Sequence, residues 1–289
     1  MPDETLTANG AATEPALEDY LRAWGLRHAP FAPVEKSNRL HPLAAHREIL
    51  SLLETTAALR SVMTLTGGPG TGKSTLVKTW IADLEPKRFL PVLITQSSLS
   101  ASGVLETLLA KLGERPRFRR SANLITLEKH LAQIEPLTLV LVLDDAQNYP
   151  APALEELRLL LGLGGRQRSA FALVLLGDDY LLGSLRLSVQ RALFSRIGAA
   201  ATLSVLPRQE IAAYLNWHIS HAGLDRDIFA PASIELLAEA SEGNPRTLGL
   251  LAQAAWLAAS RSEVFTIEPN HVQSALRQVP AANAKITRS

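Results

Sequence analysis

The run Gly67-Gly68-Pro69-Gly70-Thr71-Gly72-Lys73-Ser74-Thr75 constrains this chain more than any other stretch. From Gly67 through Ser74 it fits the spacing G-x-x-x-x-G-K-[ST] of a phosphate-binding loop. Such a loop needs a strand before it and a helix after it, and both are legible. Ser61 to Thr66 is a short apolar, β-branched run with the character of a buried strand, and Thr75 to Ala82 reads as the following helix. Glycines let successive backbone N–H groups curl round a polyphosphate, and the helix N-terminus adds partial positive charge. In that geometry Gly68, Pro69, Gly70, Thr71, Gly72 and Thr75 complete the cradle. Lys73 reaches the β- and γ-phosphates, and the Ser74 hydroxyl ligates Mg2+.

A second motif answers the first. Leu137 to Leu143 is a continuous apolar run that ends in Asp144-Asp145. Carboxylates at a strand end downstream of a phosphate loop read as a Walker B strand. Asp144 would hold Mg2+ through water and Asp145 would orient the attacking water. An ordinary strand-to-loop cap is the alternative. Phe89 to Thr95 and Phe171 to Gly177 are further strand candidates, the latter followed by Asp178 and Asp179. Helical patterns lie between them at 103–112, stopped by Gly113, and at 124–134 and 153–161. Alternation of this kind predicts an α/β fold, a parallel sheet with helices on both faces and ligands at the carboxyl ends of its strands. The spacing then predicts a helix over 182–197, carrying Arg186, Arg191 and Arg196, and a last strand over 202–206. From Pro207 onward only helical patterns remain. The expected division is a disordered tail 1–15, an α/β nucleotide-binding domain 16–206, a helical lid 207–280 and a tail 281–289.

With 289 residues, 47% hydrophobic and 20% charged, the chain has globular composition. The net charge of +1 means that any nucleic-acid surface must be local. One such cluster exists: Arg115, Arg117, Arg119 and Arg120 surround Phe118. It reads either as a solvated loop or as a contact to the phosphates of double-stranded DNA. The absence of cysteine excludes disulfides, thiolate metal sites and cysteine nucleophiles, and is compatible with a reducing compartment. Neither a signal peptide nor a membrane span is legible, so a soluble cytoplasmic protein is expected.

Beyond the loop, Trp24-Gly25-Leu26, Pro30-Phe31, Ala45-His46-Arg47-Glu48 and Asp144-Asp145-Ala146-Gln147 together resemble the ExeA-type AAA+ ATPases. These include secretion-pathway A proteins and the transposition ATPases of the TniB and MuB kind. The resemblance runs from about Tyr20 to Leu276. It implies the AAA+ fold, ATP as the nucleotide, a C-terminal helical lid, and homo-oligomers, ring or filament, in which one subunit completes its neighbour's site. It also implies that Arg246, in Gly243-Asn244-Pro245-Arg246, is a sensor 2 residue reaching the phosphates. By the same resemblance Arg196 is the arginine finger acting in trans, with Arg191 the second candidate. Two positions depart from the family. Asp145 stands where glutamate is usual, and Asp178 where a polar sensor, often glutamine, is usual. Three roles are compatible with this pattern. One is a DNA-binding regulator that recruits or activates a transposase. Another is an ATPase of secretion or cell-envelope assembly, a branch that usually continues into a membrane span. The third is a non-enzymatic ATP-dependent switch.

Overall fold

The computed structural model describes residues 16–31, 44–163, 168–187 and 190–280. The tail 1–15, expected to be disordered, and the tail 281–289 lie outside the described residues. The described residues divide into two compact units. One takes residues 44–206 together with Asn244–Arg246; the other takes 16–31, Pro207–Gly243 and 247–280.

Helix α1 (Leu17–Trp24) belongs to the second unit. The first unit runs α2 (Ala44–Leu59), β1 (Val62–Thr66), α3 (Lys73–Asp83), β2 (Phe89–Ile94), α4 (Ala101–Lys111) and α5 (Arg120–Gln133). It continues with β3 (Thr138–Leu143), α6 (Ala151–Leu161), β4 (Ala172–Leu176), α7 (Tyr180–Leu185), α8 (Arg191–Phe194) and β5 (Ile197–Thr202). All five strands are parallel, in the order β2-β3-β4-β1-β5. Strands covered on both faces are apolar without interruption, which is why β3 carries no polar residue after Thr138. Its side chains alternate between two cores. Leu139, Leu141 and Leu143 pack with Leu105, Leu108, Leu127, Leu157 and Leu160, from α4, α5 and α6. Val140 and Val142 pack with Leu53, Leu76 and Trp80, from α2 and α3. The result is a three-layer sandwich that aligns the ends of β1, β4 and β3: Leu65 lies opposite Leu176, and Leu143 opposite Leu175.

Three expected element bounds need correction. The span 182–197 is not one helix, and the last strand is not 202–206. Short helices α7 and α8 come first, and β5 follows at Ile197–Thr202. That strand reads Ile-Gly-Ala-Ala-Ala-Thr, a composition with no strand signal of its own. Pairing with β1 along its length holds it extended. Likewise α5 begins at Arg120 rather than Leu124. Its polar first turn has no apolar period, and Asn123 is buried there through backbone contacts described below.

The second unit contains α1, α9 (Ile211–His221), α10 (Pro231–Ser241), α11 (Pro245–Arg261) and α12 (Pro269–Gln278), the first two residues of α11 counting with the other unit. Proline at the first turn starts α10, α11 and α12 without loss of a needed N–H donor. The segment carrying Trp24 and Phe31 was expected within the domain 16–206, but residues 16–31 pack in this helical unit. The Trp24 indole N–H donates to Ser260 Oγ at 2.8 Å, and its ring meets Phe265 edge-on at 5.4 Å. Phe31 lies 5.0 Å from the His218 ring and 6.2 Å from Phe229. Partners supplied by distant sequence, Ser260 and Phe265 for Trp24 and His218 and Phe229 for Phe31, decide the placement. Among the described residues no helix is long and apolar enough to cross a membrane.

Candidate nucleotide site

The loop between β1 and α3 has the conformation its glycines were expected to permit. Gly67, Gly70 and Gly72 have φ of 150°, 84° and 101°. A Cβ on Gly67 would stand 2.3 Å from the carbonyl oxygen of Leu203, so the loop lies against the chain leaving β5. Thr71 is buried and its hydroxyl donates to Gly68 O at 3.0 Å, tying the loop across its own turn. Helix α3 starts at Lys73, with Leu76 N–H donating to Gly72 O at 2.8 Å. Its first-turn N–H groups therefore face the loop's interior. Lys73 Nζ donates to Gly67 O at 2.6 Å and Gly68 O at 3.0 Å. Ser74, half-buried, and Thr75, exposed, follow on the same first turn.

Asp144 and Asp145 leave the end of β3, separated from β1 only by β4, hence by two strand spacings or about 10 Å. Asp144 N–H donates to Ile94 O at 2.9 Å, which fixes the strand end. Asp144 Oδ1 accepts the N–H of Asp145 at 3.0 Å. Asp145 is exposed, with φ 51° and ψ 43°, the left-handed region that aspartate tolerates better than most residues. Burial lowers the Lys73 pKa, while the carboxylates of Asp144, Asp145, Asp179 and Asp178 act to raise it. The lysine and all four aspartates therefore share one electrostatic site. Tyr149 is pushed up to about 12 by burial and by Asp144 and Asp145, and its hydroxyl donates to Gln96 O at 2.6 Å.

Asp178 follows β4, between the two motif loops. An acidic group there would repel a γ-phosphate, but its Oδ1 accepts the Tyr180 N–H at 3.0 Å, the first N–H of α7. Its own N–H donates to Gln147 Oε1 at 3.3 Å, and Gln147 Nε2 donates to Asp145 Oδ1 at 3.4 Å. Gln147 thus bridges the Walker B end to the loop after β4. Sequence reading quoted it only as part of a motif and missed the bridge. Gly177 belongs to the same arrangement, because a Cβ there would stand 2.9 Å from Gln147 Oε1.

Asn244 was also missed as a site residue. Its Nδ2 donates to Pro69 O at 2.8 Å, its Oδ1 accepts the Arg246 N–H at 3.1 Å, and the Arg246 N–H also reaches Gly70 O at 3.3 Å. Arg246 is exposed beside the lip of the phosphate loop. Arg191 and Arg196 are exposed elsewhere. Arg196 precedes Ile197, which lies opposite Val62, the first residue of β1. It therefore sits at the amino end of the sheet, roughly 17 Å, the length of a five-residue strand, from the phosphate loop. The structure does not bring it to its own chain's loop.

Away from this site, Arg115, Arg117 and Arg119 are exposed. Arg120 does not belong with them. Its guanidinium donates to the carboxylate of buried Glu156, with Nη2 at 2.8 Å from Oε2. The expected four-arginine surface is therefore a three-arginine one.

The residues fit a Mg2+–nucleoside triphosphate. The loop is a backbone turn in which Gly67 and Gly70 hold positive φ and leave no room for a Cβ against Leu203 O and Asn244 Oδ1. The side chains offered to a metal are one hydroxyl and carboxylates, hard oxygen donors suited to Mg2+. Among the described residues no cluster of three or more His, Cys, Asp or Glu forms a protein-only metal site.

Comparison with known proteins agrees with this geometry. Residues 57–185, less than half of the chain, match the family model of the AAA domain. General secretion pathway protein A of Aeromonas hydrophila is 29% identical over 256 residues, covering 83% of this chain. The match takes in only 45% of that relative's length. Among solved structures, Cdc6p from Pyrobaculum aerophilum matches with a TM-score of 0.67 and 22% identity, over 86% of this chain and 70% of that one. The Aeropyrum pernix ORC1 protein in complex with DNA matches at 0.64 and 19%, over 86% and 68%. The chain therefore has the AAA+ P-loop fold, an α/β core of five parallel strands followed by a C-terminal helical region.

Proposed function

We propose that the chain binds Mg2+–ATP and hydrolyses it slowly to ADP and phosphate as a homo-oligomer. In this reading it acts on double-stranded DNA as a transposition-type regulator that recruits or activates a transposase. The observation that carries the biochemical part is the Lys73 ammonium, held by Gly67 O and Gly68 O at the start of α3 and in the field of four aspartates. Lys73 and the loop N–H groups of Gly68 to Thr75 neutralise the β- and γ-phosphates. Ser74 and Asp144 hold Mg2+, which when bound supplies further charge neutralisation. Asp145 orients water for in-line attack, with Gln147 fixing its carboxylate. A shorter side chain than glutamate sets that water about one bond back, and a 1 Å misplacement costs on the order of 10²-fold. Slow turnover follows. Arg246 contacts the phosphates in its own chain. Arg196, remote from its own loop, serves a neighbouring subunit's nucleotide, which is why hydrolysis needs the oligomer.

Three exposed arginines support the DNA part, as does the fold likeness to an ORC1 protein solved in complex with DNA. The relationship to General secretion pathway protein A, across 83% of the chain, favours a second reading: an ATPase of secretion or cell-envelope assembly. Gel-shift binding to duplex DNA with and without ATP, over a salt series, separates the two. A steep fall of log K with log salt is expected of the first. No binding at low salt with ATP would leave the second. Nucleotide binding is tested by Lys73→Ala, which should lose Mg2+–ATP, and unchanged affinity would refute the site. Single-turnover hydrolysis by Asp145→Asn should fall sharply. If the parent chain binds ATP yet shows no turnover, it is a switch and not an enzyme.

A further inference from the structure

The loop between α4 and α5 holds a feature that neither nucleotide chemistry nor folding uses. Phe118 is fully exposed, at 104% of its reference surface. A phenylalanine gains about 1.5–3 kcal/mol from full burial, so one left wholly in water contributes nothing of that kind to the fold. It is not on a slack segment. Three tethers hold the loop at its base. The buried Asn123 side chain clamps the Arg117 backbone in both directions, accepting its N–H at 2.7 Å and donating to its carbonyl at 2.9 Å. Glu114 Oε1 lies 2.9 Å from His130 Nδ1, and Arg120 is anchored on Glu156. Gly113, at φ 82°, ends α4 and turns the chain into the loop. The effect is to present one aromatic ring at an ordered tip, with Arg117 and Arg119 on either side and Arg115 two residues further back.

We infer that Phe118 is a wedge that enters a base step of duplex DNA while Arg115, Arg117 and Arg119 engage the flanking phosphates. A nucleic acid is the partner whose chemistry matches both halves of this tip. It has flat apolar faces for the ring and a regular row of anions at its edge for the guanidinium groups. Apolar wedges of this type partly unstack a step and bend the duplex, and the arginines compensate through counterion release. A protein partner would also take an exposed aromatic, but it has no need of three cations around it. The inference rests on the DNA reading proposed above and goes beyond it by naming the distorting residue.

The experiment compares the full-length chain with Phe118→Ala and Arg117→Ala on a duplex carrying 2-aminopurine, using anisotropy for affinity and base fluorescence for unstacking. The parent chain should bind with a rise in 2-aminopurine fluorescence. Phe118→Ala should bind about tenfold more weakly, keep the parent's salt slope and give no fluorescence rise. Arg117→Ala should keep the rise and lower the slope by about 0.9. Mg2+–ATP affinity should be unchanged in both, which shows that the variants are folded. Unstacking by Phe118→Ala equal to the parent's would overturn the wedge while leaving DNA binding intact. Absence of parent binding would overturn the DNA reading and the wedge together. Loss of self-association by Phe118→Ala without DNA would reassign the ring to a subunit contact.

Discussion

Substituting Gly70 tests how the phosphate loop is held from outside. Its φ of 84° is a conformation that costs an L-residue about 1–2 kcal/mol. A Cβ there would also stand 2.6 Å from Asn244 Oδ1 and 3.0 Å from Arg246 Cβ. Asn244 would have to turn away, breaking its donation to Pro69 O and its acceptance from the Arg246 N–H. At about 0.5–1.5 kcal/mol net for each hydrogen bond, and toward the lower end at this exposed site, Gly70→Ala should destabilise by about 2–4 kcal/mol in total. Asn244→Ala loses the same two bonds but leaves no collision, and should cost about 1–2 kcal/mol. In an Asn244→Ala background, Gly70→Ala then retains its backbone cost and the tight Arg246 contact but little more. The double-mutant cycle should show a coupling of about 1–2 kcal/mol, well above the about 0.5 kcal/mol expected of independent sites. Urea denaturation followed by far-UV circular dichroism reads each corner, and Mg2+–ATP affinity should fall in the same order. Additivity within about 0.5 kcal/mol would refute the clamp.

Other outcomes follow from the same contacts. Arg120→Ala leaves the buried Glu156 carboxylate without its guanidinium and should cost about 1–3 kcal/mol in urea, less than a fully buried pair because Arg120 is half-exposed. Arg115→Ala and Arg119→Ala should stay within about 0.5 kcal/mol of the parent in the same assay. Gln147→Ala should leave Mg2+–ATP affinity intact while slowing single-turnover hydrolysis by up to about 100-fold, since it frees the Asp145 carboxylate. The Tyr149 phenol ionises near 10.0 when unfolded but holds its proton to about 12 when folded. A raised folded pKa gives a stability contribution complete below pH 10.0 and lost as pH climbs to about 12. Tyr149→Phe should therefore flatten the alkaline fall of Tm, leaving the part due to Tyr214, which burial also raises to about 12.

What the sequence made legible was chemistry fixed by neighbours in the chain. The phosphate loop must be glycine-rich because its turns at Gly67, Gly70 and Gly72 need positive φ, and that demand is written within nine residues. The β3 run is apolar because it is covered on both faces, and its closing aspartates mark where cover ends. The features that escaped are those whose cause lies far along the chain. Ala199 to Ala201 are extended only because β1 pairs with them. Trp24 joins the helical unit because Ser260 and Trp256 wait there, more than 200 residues later. Arg120 looked like a member of a basic cluster because its partner, Glu156, lies on a different helix.

The nucleotide site divides along the same line, and that division carries a mechanistic consequence. The groups proposed to bind, from Gly67 to Thr75, are local and readable without a structure. The groups proposed to set the pace come from three other segments: Asp145 at the end of β3, Gln147 in the turn after it, and Asp178 after β4. Asp178 shows how an acidic side chain beside the proposed phosphate site is accommodated. Its carboxylate accepts the Tyr180 N–H at the start of α7, while its backbone N–H joins the Gln147 bridge. The acidic side chain therefore serves the helix, and the amide of Gln147 supplies the polar link beside Asp145. Binding can persist through changes in this second set, because none of its members builds the cradle. Turnover, on the proposed function, should not, because Gln147 bonds the Asp145 carboxylate and the Asp178 N–H bonds Gln147.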